Sequence, residues 1–82
     1  LGVTTTHHHR GLPGFYDHPT RTISTRKKMS VGQYRSTIAH ELGHAHYHDH
    51  PTGNPHYDQR QERRADKYAL PLLFTDNQFN RR

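Results

Sequence analysis

The stretch His40-Glu41-Leu42-Gly43-His44 contains the pattern H-E-x-x-H, and the expected organisation of the chain follows from it. In an α-helix, residues four apart lie one turn apart and about 40° from the same direction. His40 and His44 can therefore reach one metal ion together. Glu41 lies about 100° around the same turn, where it can contact a water molecule held by the metal without being a ligand. This arrangement is typical of zinc hydrolases.

The residues around the pattern predict that it lies on a helix. Ser30 precedes a proline-free run from Val31 to about His48, and Gln33 follows Ser30 by three residues, as in a capping box. Pro51 is expected to stop the helix. Apolar residues recur in this run at spacings of four, four and three and form one stripe: Tyr34, Ile38, Leu42 and Ala45.

A catalytic zinc ion usually takes three protein ligands and a water molecule, so the pattern needs a third ligand. A capping pattern that begins at Asp58 predicts a second helix over residues 59–70. Glu62 on this helix is the expected third ligand. Asp66 shares its face and is expected to accept the distal N–H of a ligating imidazole, which fixes the tautomer of the ring. Asp49, five residues after the second histidine of the pattern, is the alternative third ligand.

At these residues the sequence resembles the ImmA/IrrE family of small metallopeptidases, which occurs in phages, mobile elements and bacteria. The resemblance rests on A-H-E-L-G-H-A followed by a histidine, and on E-x-x-A-D with an apolar tail, in Ala39–His48 and Glu62–Leu73. The segment Gly11–Tyr16 is similar to the short strands that precede the active helix in phage members. Two features depart from the family pattern. Pro71 stands in the tail where the family continues its helix, and many members have a longer N-terminal portion.

The resemblance implies zinc-dependent cleavage of peptide bonds, often in a helix-turn-helix repressor. It implies that His40, His44 and Glu62 hold the zinc ion and that Glu41 is the catalytic residue. The implied fold is α+β, a minimal zincin-like domain in which two or three short strands precede the active-site helix and a second, ligand-bearing helix. The implied partner is a protein substrate, such as a transcriptional repressor of a phage or mobile element.

Length and composition limit the stability of such a domain. The 82 residues are expected to form one domain, and only 28% of them are hydrophobic, against about 45–50% in most globular proteins. The core is therefore expected to be thin, and a bound metal ion would help to hold the fold. The chain has no cysteine, so a metal site in it must use histidine and carboxylate.

Charge and hydropathy bear on the partners and the location. The formal net charge of +5 permits association with nucleic acid, but the cations are scattered and match no recognition motif, so direct binding is not expected. No apolar run approaches the roughly 18 residues of a membrane span, so a soluble protein in the cytoplasm of a bacterial or phage-infected cell is expected. Since the chain begins at Leu1, a fragment, a processed product and an unusual start codon stay open.

Two other function classes compete with the peptidase. One is a nucleic-acid-binding module, and the other is a regulatory protein in which the metal site only holds the fold. Glu41 favours the enzyme, because a structural metal site has no need of a carboxylate beside an open coordination position.

The first 28 residues are expected to supply the strands. Residues 1–6 predict an edge strand, 11–19 a turn, and 20–28 a second strand. This second strand is expected either to pair with an extended substrate or to be an ordinary edge strand protected by its cations. His7-His8-His9 is expected in a solvated strand or loop rather than in a metal site, because neighbouring strand residues point to opposite faces.

Three further expectations concern His48 and the end of the chain, residues 72–82. His48 is expected as a cation at the end of the first helix or as a partner of a ligand. Residues 72–74 are expected to pack on the first helix, and residues 75–82 to form a frayed tail. The side chain that stabilises the transition state is left open among Tyr34, Tyr47, Tyr57 and the remaining histidines.

Overall fold

Three short strands precede two helices in the computed structural model, which describes the backbone of residues 2–80 and the side chains of residues 2–73. The elements are β1 (Thr4–His8), β2 (Gly14–Asp17), β3 (Thr22–Arg26), α1 (Val31–His46) and α2 (Pro55–Asn80). The predicted α+β class is confirmed, as is the order of strands before helices.

β3 lies at the centre of the sheet, because the strand order is β1-β3-β2. β1 pairs with β3 in parallel, with Thr4 opposite Thr22, and β2 pairs with β3 antiparallel, with Gly14 opposite Thr25. Both edges of β3 are thus occupied by neighbouring strands. The prediction that this segment forms an edge strand, or pairs with a substrate, is wrong for that reason.

β2 lies within the segment for which glycine and proline predicted a turn. Gly14 is needed there because the sheet lies against α1, and a Cβ at this position would overlap Cγ2 of Thr37. A glycine inside a strand often marks such a close approach of another element. Gly14 therefore marks the place where α1 packs against β2. The predicted turn over residues 11–19 is wrong for its central part.

The histidines of β1 bind hydroxyl groups of β3. Nδ1 of His7 is 2.9 Å from Oγ1 of Thr25, and Nδ1 of His8 is 2.7 Å from Oγ of Ser24. Both hydroxyl-bearing residues are buried and need hydrogen-bond partners. These histidines thus form part of the sheet, and β1 begins and ends later than residues 1–6.

α1 begins at its predicted N-cap, since Oγ of Ser30 accepts a hydrogen bond from the backbone N–H of Gln33 at 3.1 Å. The helices pack through small residues more than through the predicted stripe, of which Tyr34 is 39% exposed. A Cβ on Gly43 would lie 2.7 Å from Cα of Ala65, so the two backbones nearly touch. Among the helix residues whose side chains the structure describes, the buried hydrophobic ones are all alanines: Ala39, Ala45, Ala65 and Ala69.

α2 begins four residues earlier than predicted. Oδ1 of Asn54 accepts a hydrogen bond from the backbone N–H of His56 at 3.0 Å, and Pro55 occupies the first helical position. Asp58, the predicted cap, instead accepts hydrogen bonds from the backbone N–H and the hydroxyl of Thr52, at 2.9 and 2.8 Å. These bonds hold the loop that precedes the helix, and they lower the pKa of the Asp58 carboxyl.

α2 also continues through Pro71 as far as Asn80, beyond the predicted end at residue 70. Pro71 has no N–H to donate to the carbonyl of Lys67, four residues earlier, but Lys67 is exposed, so water can bind that carbonyl. Leu72 is also exposed and Leu73 is half-buried. The side chain of Phe74 and residues 81–82 of the predicted tail lie outside the described residues.

The core is thin, as the composition predicts. The largest fully buried side chains are Ile23 and Thr25. Within the described residues, no helix combines the length and the apolar character that a membrane crossing requires.

Candidate metal centre

Three side chains converge where α1 and α2 cross. Nε2 of His40 is 3.1 Å from Nε2 of His44 and 3.3 Å from Oε1 of Glu62. Nε2 of His44 is 2.5 Å from the other carboxylate oxygen of Glu62. In the part of the chain that the structure describes, this is the one group of histidine and carboxylate side chains close enough to hold a metal ion.

The distal nitrogens of both histidines face carboxylates. Nδ1 of His40 is 2.7 Å from Oδ1 of Asp66, and Nδ1 of His44 is 2.9 Å from Oδ2 of Asp49. An ionised carboxylate only accepts hydrogen bonds, so in the neutral rings each Nδ1 carries the proton and each Nε2 is left as an acceptor. The two carboxylates therefore fix both tautomers with Nε2 directed at Glu62.

This donor set fits a divalent transition metal such as zinc. Two imidazole nitrogens and a carboxylate face one another without a proton between them, an arrangement that a cation stabilises. Tetrahedral ligands about 2.1 Å from a zinc ion lie about 3.4 Å from one another, close to the separations of Nε2 of His40 from its two neighbours. The structure thus brings together the three residues that the sequence predicts as ligands, His40, His44 and Glu62. We call these three side chains the metal group.

Asp49 does not join this group and is a partner of His44 instead. Its second carboxylate oxygen accepts a hydrogen bond from Nη2 of Arg64 at 2.6 Å, and its side chain is 5% exposed. Both oxygens are thus engaged away from the three ligand atoms. The structure therefore does not support Asp49 as the alternative third ligand, and it adds Arg64, which sequence reasoning missed.

A turn at the end of α1 brings Asp49 back to His44. The backbone N–H of His48 donates to the carbonyl of Ala45 at 3.2 Å, and the N–H of Asp49 donates to the carbonyl of His44 at 2.9 Å. These are the two bonds of a Schellman motif, and His48 has the left-handed backbone that the motif requires, with φ of 56°. Glycine is the usual residue at that position, so its absence hid the turn from sequence reasoning.

Glu62 and Asp66 come from consecutive turns of α2. They are four residues apart and face α1, where the contact between Gly43 and Ala65 brings the helices together. Asp66 lies against the distal nitrogen of His40, the position expected for it from the sequence. Both carboxylates are largely exposed, with side-chain exposures of 60% and 70%.

Glu41 is buried beside the metal group without belonging to it. Its residue is 8% exposed, and a Cβ on Gly14 of β2 would be in contact with its Cγ. Burial raises the pKa of the Glu41 carboxyl, and the neighbouring His44 and His40 partly oppose this shift. The carboxylate lines the same cavity as His44 and Glu62.

This cavity has a volume of about 300 Å³ and lies between β2, the end of α1 and the start of α2. Tyr34, Tyr47 and Tyr57 are not among the residues that line it, whereas Tyr16 and His50 are. Sequence reasoning missed Tyr16 because its segment was expected to be a turn. A strand assignment would have placed Tyr16 on the same face as Gly14, toward α1.

The fold and the donor set define an α+β domain in which two histidines and a carboxylate could hold a metal ion. The whole chain, residues 1–82, matches the family described as Peptidase_M78, IrrE N-terminal-like domain. The chain belongs to this peptidase family, which confirms the resemblance drawn from the sequence. Comparisons with curated proteins and with solved structures gave no match.

Proposed function

We propose that the chain is a zinc-dependent endopeptidase that cleaves another protein. The observation that carries the proposal is the convergence of His40, His44 and Glu62, of which His44 and Glu62 line the same cavity as the buried carboxylate of Glu41. A bound zinc ion would polarise the scissile carbonyl and lower the pKa of the attacking water. Membership of a peptidase family supports peptide bonds as the substrate.

Glu41 is the general base of the proposed reaction. It takes a proton from the attacking water as the water oxygen bonds to the carbonyl carbon of the peptide. The same carboxyl then gives the proton to the amide nitrogen as the C–N bond breaks, so the products are a carboxylic acid and an amine, which become a carboxylate and an ammonium group once the acid gives its proton to the amine. Asp49 and Asp66 keep the histidines in the tautomer that leaves Nε2 free to bind the metal.

β2 is the strand suited to hold the substrate. It lies at an edge of the sheet, and Gly14, Phe15 and Tyr16 line the cavity beside Glu41. An extended peptide that pairs with the open edge of β2 would pass over the metal group and gain backbone hydrogen bonds without a requirement for a particular sequence. The substrate pairing expected at β3 is thus reassigned to β2.

The proposed natural substrate is a helix-turn-helix repressor encoded near this chain by a phage or mobile element. The support for this class is the resemblance to the ImmA/IrrE family over the motif residues. The open cavity is consistent with a protein segment, because the described residues place no lid over it that would restrict the site to small molecules.

The test compares zinc content and cleavage in three variants of the full chain, with a neighbouring repressor and unfolded casein as substrates. Glu41→Gln is expected to keep zinc and fold but to lose turnover by about 10²- to 10⁴-fold. His40→Ala is expected to lose both zinc and turnover, and His9→Ala, at an exposed histidine, to lose neither.

Cleavage by Glu41→Gln at the rate of the parent chain would contradict the proposal. If the zinc-loaded parent chain cleaves neither substrate, metal-dependent binding without catalysis would explain the same residues better. Cleavage of casein but not of any neighbouring repressor would keep the peptidase and reject the substrate class.

A further inference from the structure

One end of the cavity is built from polar side chains that neither the metal nor the general base requires. Tyr16 and His50 line the cavity. The ring of His18 stacks on that of His50 with 5.8 Å between centroids, and it meets the ring of His48 edge-on at 5.4 Å. The hydroxyl of Tyr16 lies 3.0 Å from Nδ1 of His18. Tyr16 and His50 thus line the same cavity as Glu41 and Glu62, and His18 contacts both Tyr16 and His50.

Arg21 fixes the position of the Tyr16 hydroxyl. Its Nη1 donates to the phenol oxygen of Tyr16 at 2.5 Å and to the carbonyl of Ala45 at 2.9 Å. The guanidinium also lies over the Tyr16 ring, 5.7 Å from its centroid. Arg21 adopts φ of 51°, a left-handed conformation that is costly for arginine. Such conformations tend to occur at functional sites, where the surroundings hold the backbone in place.

The hydrogen bond from Arg21 leaves Tyr16 as a donor. The phenol oxygen accepts a hydrogen bond from Arg21, and the hydroxyl can donate its own hydrogen bond either to Nδ1 of His18 or to an oxygen atom in the cavity. A donor held in advance, where negative charge develops on a substrate, lowers the barrier because it needs no reorganisation during the reaction.

We propose that Tyr16 is a catalytic residue that donates a hydrogen bond to the substrate carbonyl oxygen as that oxygen becomes an oxyanion, and that Arg21 is a positioning residue that acts through Tyr16. This assignment rests on the proposed peptidase function. It fills the role left open among Tyr34, Tyr47, Tyr57 and the remaining histidines. The three tyrosines do not line the cavity, whereas His50 lines it together with Tyr16.

The first test compares Tyr16→Phe with Tyr57→Phe in the zinc-loaded chain. Both substitutions remove one hydroxyl, but Tyr57 is exposed and outside the cavity. Tyr16→Phe is expected to lower kcat by about 10²-fold while KM changes by less than about threefold, because the lost bond forms in the transition state. Tyr57→Phe is expected to match the parent chain, and both variants are expected to keep zinc and the parent Tm.

A second readout does not depend on turnover. A phosphinic peptide carries a tetrahedral P–O group that imitates the oxyanion, so its affinity reports stabilisation of the transition state. Calorimetry of zinc-loaded protein with this inhibitor is expected to show about 10²-fold weaker binding for Tyr16→Phe than for the parent chain.

The role of Arg21 is tested by coupling. Arg21→Lys is expected to lower kcat by about 10-fold in the parent chain but by less than about twofold in the Tyr16→Phe background, because Arg21 acts through the hydroxyl. An equal loss of kcat in both backgrounds would show that Arg21 only stabilises the packing of the β2–β3 turn against α1.

The outcomes separate the two proposals. If the parent chain cleaves and Tyr16→Phe retains both kcat and inhibitor affinity, the assignment of Tyr16 is overturned and the peptidase stands. If the parent chain, loaded with zinc, cleaves neither casein nor a neighbouring repressor, the proposed function is overturned and this assignment with it.

Discussion

His44 and His40 have matching partners in different surroundings. The buried pair, His44 and Asp49, has side chains 12% and 5% exposed, and Arg64 binds the second oxygen of the carboxylate. In the exposed pair, His40 and Asp66, the exposures are 23% and 70%. Each pair nevertheless holds its histidine in the same tautomer.

The difference in exposure between the two pairs distinguishes two roles that a carboxylate can have beside a metal-binding histidine. Water screens the exposed pair, so Asp66 can orient its histidine but contributes little to the stability of the fold. The buried pair with Arg64 connects the end of α1 to α2, so the loss of Asp49 would leave polar groups in a poorly solvated place without partners. Substitution of Asp49 should therefore lower both the stability of the fold and the metal affinity. Substitution of Asp66 should lower mainly the metal affinity.

Removal of the proposed zinc ion is expected to have the largest effect, because the ion would join both pairs through ligands on both helices. At a free zinc concentration about 1,000 times Kd, the metal adds about 4 kcal/mol to the free energy of unfolding. A chelator should therefore lower Tm by about 15 °C or more. Thermal unfolding with and without chelator measures this, and an unchanged Tm with the metal shown to be absent would contradict it.

Asp49→Ala is expected to have the next largest effect. The change leaves Nδ1 of His44 and the guanidinium of Arg64 without their partner, so the free energy of unfolding of the zinc-free chain should fall by about 2–4 kcal/mol. Zinc affinity should fall by about 100-fold. Denaturant unfolding and zinc titration measure the two quantities, and parent-like stability would show that the pair has no structural role.

Gly43→Ala tests whether both pairs depend on the close approach of the helices. The added methyl would lie 2.7 Å from Cα of Ala65, so α2 must move and carry Glu62 away from the histidines. The expected loss of stability is about 1–3 kcal/mol, with weaker zinc binding. Gly32→Ala is the matched control, since a Cβ there meets nothing within 4 Å and should slightly stabilise α1. Similar behaviour of both variants would refute the packing argument.

Asp66→Ala is expected to have the smallest effect on stability. The free energy of unfolding of the zinc-free chain should change by less than about 1 kcal/mol, because the carboxylate is largely exposed. Zinc affinity should still fall by about 10-fold, since the tautomer of His40 is no longer held. A loss of stability equal to that of Asp49→Ala would remove the distinction between the two pairs.

The parts of the site that follow from local sequence were predictable. The spacing of His40, His44 and Glu41 depends only on helix geometry, and Ser30 marks where the helix begins. Glu62 and Asp66 were placed by their shared face on a second helix. Residues a few positions apart on a helix have a fixed relation, so the spacing relates Glu62 to Asp66. Their approach to the histidines depends on the contact between the helices and was expected from the family resemblance.

The parts that depend on distant contacts were not predictable. The central position of β3 is set by pairing with two strands from different parts of the chain, and its pattern of polar and apolar residues does not encode an edge or a centre. Gly14 suggested a turn because the sequence does not show that α1 packs closely against the sheet at this position. Asp49 was the alternative third ligand because it follows the H-E-x-x-H pattern by five residues. The turn that directs it to Nδ1 of His44 was not visible, since a histidine, rather than a glycine, occupies the left-handed position before it.

The turn at the end of α1 also bears on the order in which the site assembles. The bonds from His44 to Asp49 span five residues, so they can form as soon as α1 does, whereas Glu62 and Arg64 reach the site only after the intervening loop closes. Local contacts form faster than distant ones, so a nascent α1 would hold its two histidines four residues apart, with one tautomer already fixed, before α2 docks. Early protection of the Asp49 N–H in pulse-labelled amide exchange would reveal this order. Metal capture could then begin on a half-formed domain and draw the second helix into place.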